Sequence, residues 1–543
     1  MVCALSNFKL HVCRNGTLRL YINRIQKILF LLVPLALAAF THLWNPIGFP
    51  SIHIDEAHYL RRAMLVLENL GPQESANSGY PRTYDHPYFG QLFLAGLLGA
   101  VGYPNSLHPG PDVHSIEMLH LVPRVIMGIL AVVDTLLVYK LSERRYNKNV
   151  ALIASILFAV MPVTWILRRV YLDTLLMPLL LSSILIAIYI KGPKNNNSSK
   201  QPKIRINKDV LVFLSGTFLG LAIYTKIPAF TMIPLVGYLI ISNSSRKKKT
   251  LALWLLPVLL IPLMWPAYAF SIGQGDLWLD WVLWQTGRHK PLAISLNNFF
   301  EMDPVIMILG IIGLAYSALK RDLLVILWTV PFLIFSYFIG WVQYFHLILI
   351  FPAFCIGTSL FLESLSIKIK NNKIKILVPI FLASGIAIFG LTATSLLITK
   401  DVNSGQFIIY SNIAENLVNA NNSNVTVVGS HWWDWNSYWI TQYILDEKHD
   451  VIDAHFDPLF RQPLKTGKVL FIDDEKFLDT LSRNIKGQNI QEIRLKHENS
   501  TLIGSFLDNV TRYDNVQYPY NIMSIMILNE NHPVGKVSIR RAY

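Results

Sequence analysis

The chain has 543 residues, of which 52% are hydrophobic and 15% charged, with Lys+Arg 48 against Asp+Glu 34. Soluble proteins carry about 25% charged residues, so this composition excludes a disordered chain and argues against a soluble nucleic-acid-binding protein despite the net charge of +14. Three cysteines (Cys3, Cys13, Cys355) cannot form a disulfide scaffold, and the reading that remains is an integral membrane protein.

Residues 401–543 hold 13 Lys+Arg and 17 Asp+Glu, so the basic surplus lies entirely within residues 1–400. We read 1–400 as an α-helical polytopic membrane domain and 401–543 as a soluble domain. Crossing a hydrocarbon core of about 30 Å takes about 20 helical residues. Apolar runs of that kind occur, in chain order, near 27–44, 119–140, 150–167, 174–190, 209–225, 227–242, 251–270, 304–319, 323–341, 344–363 and 376–398. That is about eleven spans. The run 27–44 contains Ala36-Leu37-Ala38 but is longer than a signal-peptide core, and it is read as a retained span. The stretch 88–103 is short and Gly-rich, and reads as re-entrant or interfacial.

With this count, one set of connections carries 25 of the 35 basic residues, including the runs at 191–208, 246–249 and 368–375. Positive charge marks the cytoplasmic side. The N-terminus is therefore expected inside and the tail outside, where sequons at Asn424, Asn499 and Asn509 would suit it. The tail alternates β-rich runs (Val425–Val428, Val469–Ile472, Ile525–Leu528) with the helix-like Glu475–Arg483, the pattern of a small α/β domain.

The unusual residues gather on the outer side. The first external loop, 45–118, opens with Ile54-Asp55-Glu56-Ala57-His58-Tyr59-Leu60-Arg61-Arg62 and continues to Tyr84-Asp85-His86-Pro87-Tyr88-Phe89-Gly90. Arg169 and Asp173 follow the third span, Lys226 sits in a short turn, and His346 lies at an outer helix end. Taken singly, Arg61, Arg62 and Arg169 read as charges snorkelling to the headgroups, His53 and His289 as structural histidines, and Trp278, Trp281 and Trp284 as an aromatic belt. Jointly, acids near apolar helix ends are costly to keep and mark function. A carboxylate can take a proton from an attacking hydroxyl, while cations clamp a phosphate as it leaves. That combination suits group transfer from a lipid phosphate to an alcohol.

The same segments resemble the GT-C membrane glycosyltransferases, in the branch of protein O-mannosyltransferases and their relatives that transfer aminoarabinose to lipid A. The Asp55-Glu56 pair followed by Asp85-His86-Pro87 is similar to the family's first-loop pattern. Arg169-Val170-Tyr171-Leu172-Asp173 resembles its second acidic motif, and Gly220-Leu221 through Thr225-Lys226-Ile227-Pro228 its Thr-Lys-x-Pro turn. The resemblance covers roughly residues 25–360. It departs at Tyr88, where the family has a second proline, and at Gln91, where mannosyltransferases tend to carry a lysine.

The resemblance implies the GT-C fold and an inverting transfer of a sugar, a mannose-like hexose, from a polyprenyl- or dolichyl-phosphate donor on the external or luminal face. It implies Asp55, Glu56 and Asp173 as catalytic acids, with Asp55 as general base. His58, Asp85, His86, Arg169, Lys226 and His346 would then serve donor and phosphate binding. The acceptor is a hydroxyl on a protein, lipid or glycan. No cofactor is assigned; Asp55, Glu56, Asp173 and His346 could hold a divalent metal, but their spacing is not a metal motif.

Two further readings remain open. Trp432-Trp433-Asp434-Trp435-Asn436 is similar to the WWDYG element with which oligosaccharyltransferases read their acceptor, or is an aromatic packing seam. A transporter or flippase is the alternative of another class, although no internal repeat is evident and the acids lie at one surface.

Overall fold

The computed structural model describes residues 16–72, 84–190, 207–288, 291–339, 342–367, 372–418, 425–429, 450–453, 464, 467–483, 488–508 and 535–543. The Asn424 and Asn509 sequons, the loop 191–206 and the Ile525–Leu528 run lie outside them.

The helices in chain order are α1 Gly16–Leu43, α2 Ile54–Leu67, α3 Phe89–Ala100, α4 Val113–Arg145, α5 Lys148–Val160, α6 Leu172–Tyr189, α7 Lys208–Thr225, α8 Ile233–Asn243, α9 Lys247–Ser271, α10 Gly275–Gly287, α11 Leu292–Met302, α12 Pro304–Leu319, α13 Leu323–Ile339, α14 Phe351–Ile367, α15 Asn372–Ile398 and α16 Ser404–Val418. Among the described residues, six helices are long and apolar enough to cross a membrane, and two bent pairs pass the same test. Three shorter apolar helices, Phe30–Leu43, Ile227–Asn243 and Leu323–Ile339, account for the rest of the eleven runs in the sequence. The chain is a multi-pass membrane protein.

The bends are where proline stops a helix. The residue before a proline is pushed out of the helical region. Met161 before Pro162 is accordingly extended (ψ 139°), and the chain turns by 68° into a 3₁₀ segment, Pro162–Arg168. Asp303 before Pro304 is likewise non-helical, and α11 meets α12 at 117°. Two more 3₁₀ segments, Ile227–Met232 and Tyr344–Ile350, follow Lys226 and carry His346. Tighter winding thus recurs beside Lys226 and at His346, as it often does at functional hinges.

Close helix approach fixes the turn that presents Lys226. Gly216 and Gly220 lie one turn apart on α7. A Cβ at these positions would come within 2.3 Å of the Trp254 carbonyl oxygen and 2.5 Å of the Pro257 carbonyl oxygen of α9. Small residues at this spacing let membrane helices pack backbone to backbone.

Beyond α15, the strands β1 Val425–Gly429, β2 Asp450–Asp453, β3 Lys468–Asp473, β4 Thr501–Asp508 and β5 Gly535–Ala542 form one sheet in the order β2-β1-β3-β5-β4. β1 pairs in parallel with β2 and β3, whereas β5 is antiparallel to β3 and β4. Successive strand residues face opposite sides. Val427, Leu470 and Ile472 accordingly join the core shared with the helical bundle and α16, and Val428, Val469 and Phe471 face Phe477, Ile490 and Ile493. Those last three residues come from α17 Glu475–Ser482 and α18 Gln488–Glu498, which cover the outer face.

Candidate functional site

The site is built around the start of α2. His53 is the N-cap: its side chain accepts the Asp55 backbone N–H at 3.3 Å, and the Glu56 carboxylate returns to accept the His53 N–H at 3.0 Å. This reciprocal capping sends the two adjacent acids in different directions. The Asp55 side chain remains a third exposed and lies 3.7 Å from His53; among the described residues no lysine or arginine forms an ion pair with it.

Glu56 is buried. Arg124 of α4 grips it with two parallel bonds, Nη2 to Oε1 at 2.8 Å and Nε to Oε2 at 3.1 Å, and the Val170 N–H adds a third at 3.2 Å. Burial pushes the Glu56 carboxyl up, but Arg124 and Arg169 outweigh it, and the group is held below its ordinary value of 4.5. The grouping of Glu56 with Asp55 as a reacting acid therefore divides here: both Glu56 oxygens are committed to neighbouring donors.

Asp85 is the second fixed acid. Arg62 pairs with it at 2.8 Å, His58 approaches at 3.4 Å and His86 at 4.0 Å. Burial opposes the charge, yet Arg62 and the two histidines hold the carboxyl well below its usual range. Arg62, read from sequence as a snorkelling charge, is instead fully buried against this acid. Asp173, in the first turn of α6, pairs with Lys226 at 2.6 Å, with Lys226 also lying 5.2 Å from the Phe345 ring. Gly90 lets α3 approach this pair, since a Cβ there would lie 2.5 Å from Leu172 and 3.0 Å from Thr225.

These groups face one another. Asp55, Asp85, Asp173 and Arg62 all act on the Tyr59 hydroxyl, whose ring lies 6.0 Å from His86. Arg288, beyond α10, feels Asp55 and Asp85, donates to Gln285 at 2.9 Å and stacks over Trp284. Gln285 in turn donates to the Asp85 carbonyl at 3.1 Å. Burial lowers Arg288 from its ordinary value. His346 accepts the Gln343 N–H through Nδ1 at 3.2 Å and packs on Phe345, one ring away from Lys226.

Arg169, expected at the donor phosphate, is buried, with its Nε 3.9 Å from the Glu56 carboxylate. It donates to the Ser51 carbonyl at 2.9 Å and the Tyr171 hydroxyl at 2.9 Å, and lies over Trp165. Arg124 was not singled out in the sequence. The signal was present, as an arginine inside the apolar run 119–140, and a charge within a span marks a required partner. Trp432, Trp433 and Asp434 lie outside the described residues. Among the described residues no three His, Cys, Asp or Glu side chains form a metal-holding group. Glu56 and Asp173, read as possible metal ligands, are turned towards Arg124 and Lys226.

Burial holds both His53 and His86 down to about 4, so both are uncharged at neutral pH. Each histidine would bind a proton more readily unfolded, near 6.5, and the folded state therefore loses stability as pH falls from about 6.5 towards 4. The Glu56 and Asp85 carboxyls are shifted in the same direction, below their ordinary values, and the stability they contribute is lost as pH falls further and the carboxylates protonate. We expect the thermal midpoint of the purified protein to drop between pH 7 and pH 5, and the His53→Gln/His86→Gln variant to show a smaller drop. An equal drop in the variant would place the acid sensitivity elsewhere.

A family model described as dolichyl-phosphate-mannose-protein mannosyltransferase matches residues 118–268, the segment that holds Arg124, Arg169, Asp173 and Lys226. No curated protein matches the chain in sequence. Among solved structures, the chain is similar to ArnT from Cupriavidus metallidurans in the apo state, with TM-score 0.55 and 11% identity over 95% of this chain and 98% of that one. The same protein bound to undecaprenyl phosphate gives TM-score 0.56 and 11% identity over 94% and 98%. An oligosaccharyltransferase from Archaeoglobus fulgidus in complex with Zn and sulfate gives 0.50 and 13% over 83% and 69%. At these identities the structural likeness is one of fold. Together with the matched segment, it makes the chain similar to the GT-C membrane glycosyltransferases, in the branch of protein O-mannosyltransferases and aminoarabinose transferases.

Proposed function

We propose that the chain transfers a mannose-like hexose from a polyprenyl- or dolichyl-phosphate donor to an acceptor hydroxyl, with inversion, and that Asp55 is the general base. The observation that carries this reading is the division of labour among four acids. Glu56 is paired with Arg124, Asp85 with Arg62 and Asp173 with Lys226. Asp55 alone has no such partner among the described residues and remains partly exposed. A base must be ionised and able to reach its proton.

In the step itself, Asp55 takes the acceptor's hydroxyl proton as the oxygen attacks the anomeric carbon. The bond from that carbon to the phosphate oxygen breaks with its electron pair, releasing the lipid phosphate. Lys226, His86 and His346 supply contacts for the phosphate, with Lys226 sharing its charge between Asp173 and the donor. Glu56, Arg124 and Arg169 hold the Asp55 turn in place. The bundle would sit with its N-terminus in the cytoplasm and residues 401–543 outside, supported by the 25 of 35 basic residues on the opposite connections. The ligand named for the Cupriavidus metallidurans protein, undecaprenyl phosphate, is a lipid phosphate of the proposed donor class.

The test is reconstitution. Protein in liposomes carrying radiolabelled mannosyl polyprenyl phosphate is offered protein, lipid and glycan acceptors on the outside. Label should pass to one of them. Movement of intact donor between leaflets without any glycosyl product would favour a transporter and remove this reading.

A further inference from the structure

The segment 44–53 that delivers Asp55 is irregular backbone, buried over residues 48–52, so its polar groups need partners from elsewhere. Arginines meet several of them. Arg168 donates to the Trp44 and Asn45 carbonyls, Arg124 to those of Pro46 and Pro50, and Arg169 to that of Ser51. Others are met by residues some 350 positions away, at the junction between α15 and α16. The Val402 N–H donates to the Gly48 carbonyl at 2.9 Å. Fully buried Asn403 uses its whole amide: Nδ2 donates to the Ile47 carbonyl at 2.6 Å and the Pro50 carbonyl at 2.8 Å, and Oδ1 accepts the Ile52 N–H at 3.0 Å. Asn45 returns the contact, donating to the Ile398 and Lys400 carbonyls at 3.0 and 2.9 Å.

Asn403 immediately precedes α16, where an asparagine side chain would ordinarily cap its own helix. It does not. Asp401 accepts the Asn403 and Ser404 N–H groups instead, which leaves the Asn403 amide for the segment 47–52. Asn403 therefore bonds on both sides of Ser51 and ends three residues before Asp55.

We infer that Asn403 is a positioning residue for Asp55, through which the start of the C-terminal region sets the geometry of the outer-face site. This rests on the reading of Asp55 as the base. Asn403→Ala removes the partner of the Ile52 N–H and the Ile47 carbonyl and leaves the Pro50 carbonyl to Arg124, and Asn403→Asp keeps the acceptor while placing an anion against two carbonyls. For both, the full-length protein should show a kcat at least tenfold lower with the donor KM within twofold, and faster hydrogen–deuterium exchange across residues 47–56. The control is Asn416→Ala, which removes a contact between α16 and Arg541 of β5 without touching that segment; it should keep wild-type exchange and kcat. Unchanged exchange in Asn403→Ala, or an equal loss of kcat in Asn416→Ala, overturns the inference. Wild-type protein that forms no glycosyl product overturns the proposed function instead, and the exchange measurement still decides whether Asn403 pins the segment.

Discussion

Asp55→Asn should lower kcat by about 10²–10⁴-fold, the range supplied by a positioned general base, while the protein remains folded and its donor KM changes little. The argument is one of contacts. The Asp55 carboxylate is a third exposed, and its recorded partner is the His53 ring at 3.7 Å. Its backbone N–H, which closes the cap on α2, is retained by any substitution. Asn preserves the shape, and the loss of one negative charge from the first turn of a helix costs about 0.3–1 kcal/mol. Stability should therefore move by at most about 1 kcal/mol, small beside the effect on turnover. The measurement is transfer of labelled sugar in reconstituted liposomes, with the thermal midpoint in detergent alongside. Wild-type turnover by Asp55→Asn would remove the catalytic assignment. Asp85→Asn is the informative comparison, because it also loosens Arg62 and His58. It should lower stability as well as activity.

The residues legible in the sequence share one property: their signal is local. Asp55, Asp85, Asp173 and Lys226 each stand beside the end of an apolar run, so hydropathy and charge alone direct attention to them. The strands β1 and β3 and helix α17 were likewise legible, because β1 and β3 are short β-rich runs and α17 a helix-like segment between them and the end of the chain. β4 and β5 were not. Their residues mix apolar and charged types, and they are strands because they pair with each other and with β3. Which acid is held and which remains available was also hidden. That depends on partners 68 residues away for Glu56 and 53 for Asp173, and no periodicity reports such a pairing. Arg169 shows the limit from the other side. Its motif is recognisable, but its guanidinium serves Ser51, Tyr171 and Tyr344 as well as lying 3.9 Å from Glu56, contacts that the motif does not report. The bends before Pro162 and Pro304 could be anticipated from proline chemistry, whereas the 3₁₀ winding after Lys226 is a product of packing.

Breaking the Glu56–Arg124 pair should be the most destabilising change near the site. Both side chains are almost wholly buried, and Arg124 also donates to the carbonyls of Pro46 and Pro50. Glu56→Ala strands a guanidinium away from water and frees the His53 and Val170 N–H groups; removing one partner of a buried pair typically costs about 3–5 kcal/mol. Arg124→Met should cost as much or more, since it takes the cation from the buried carboxylate and the donor from the Pro46 carbonyl together, leaving the Pro50 carbonyl to Asn403. The double variant Glu56→Ala/Arg124→Met leaves no buried charge from the pair. It should recover about 1–3 kcal/mol relative to the sum of the single losses, with the remainder reflecting the Pro46 carbonyl, which no longer has its Arg124 donor. Thermal and denaturant midpoints of the three variants in detergent give the cycle. Turnover separates this clasp from chemistry. If Glu56 reacts with substrate, Glu56→Ala will keep the wild-type midpoint while losing activity, and Arg124→Met will not reproduce the loss. If Glu56 holds the Asp55 turn, both single variants will lose stability and activity together, and the double variant will regain part of each. The geometry predicts the second result, because Arg124, Val170 and His53 already occupy both Glu56 oxygens.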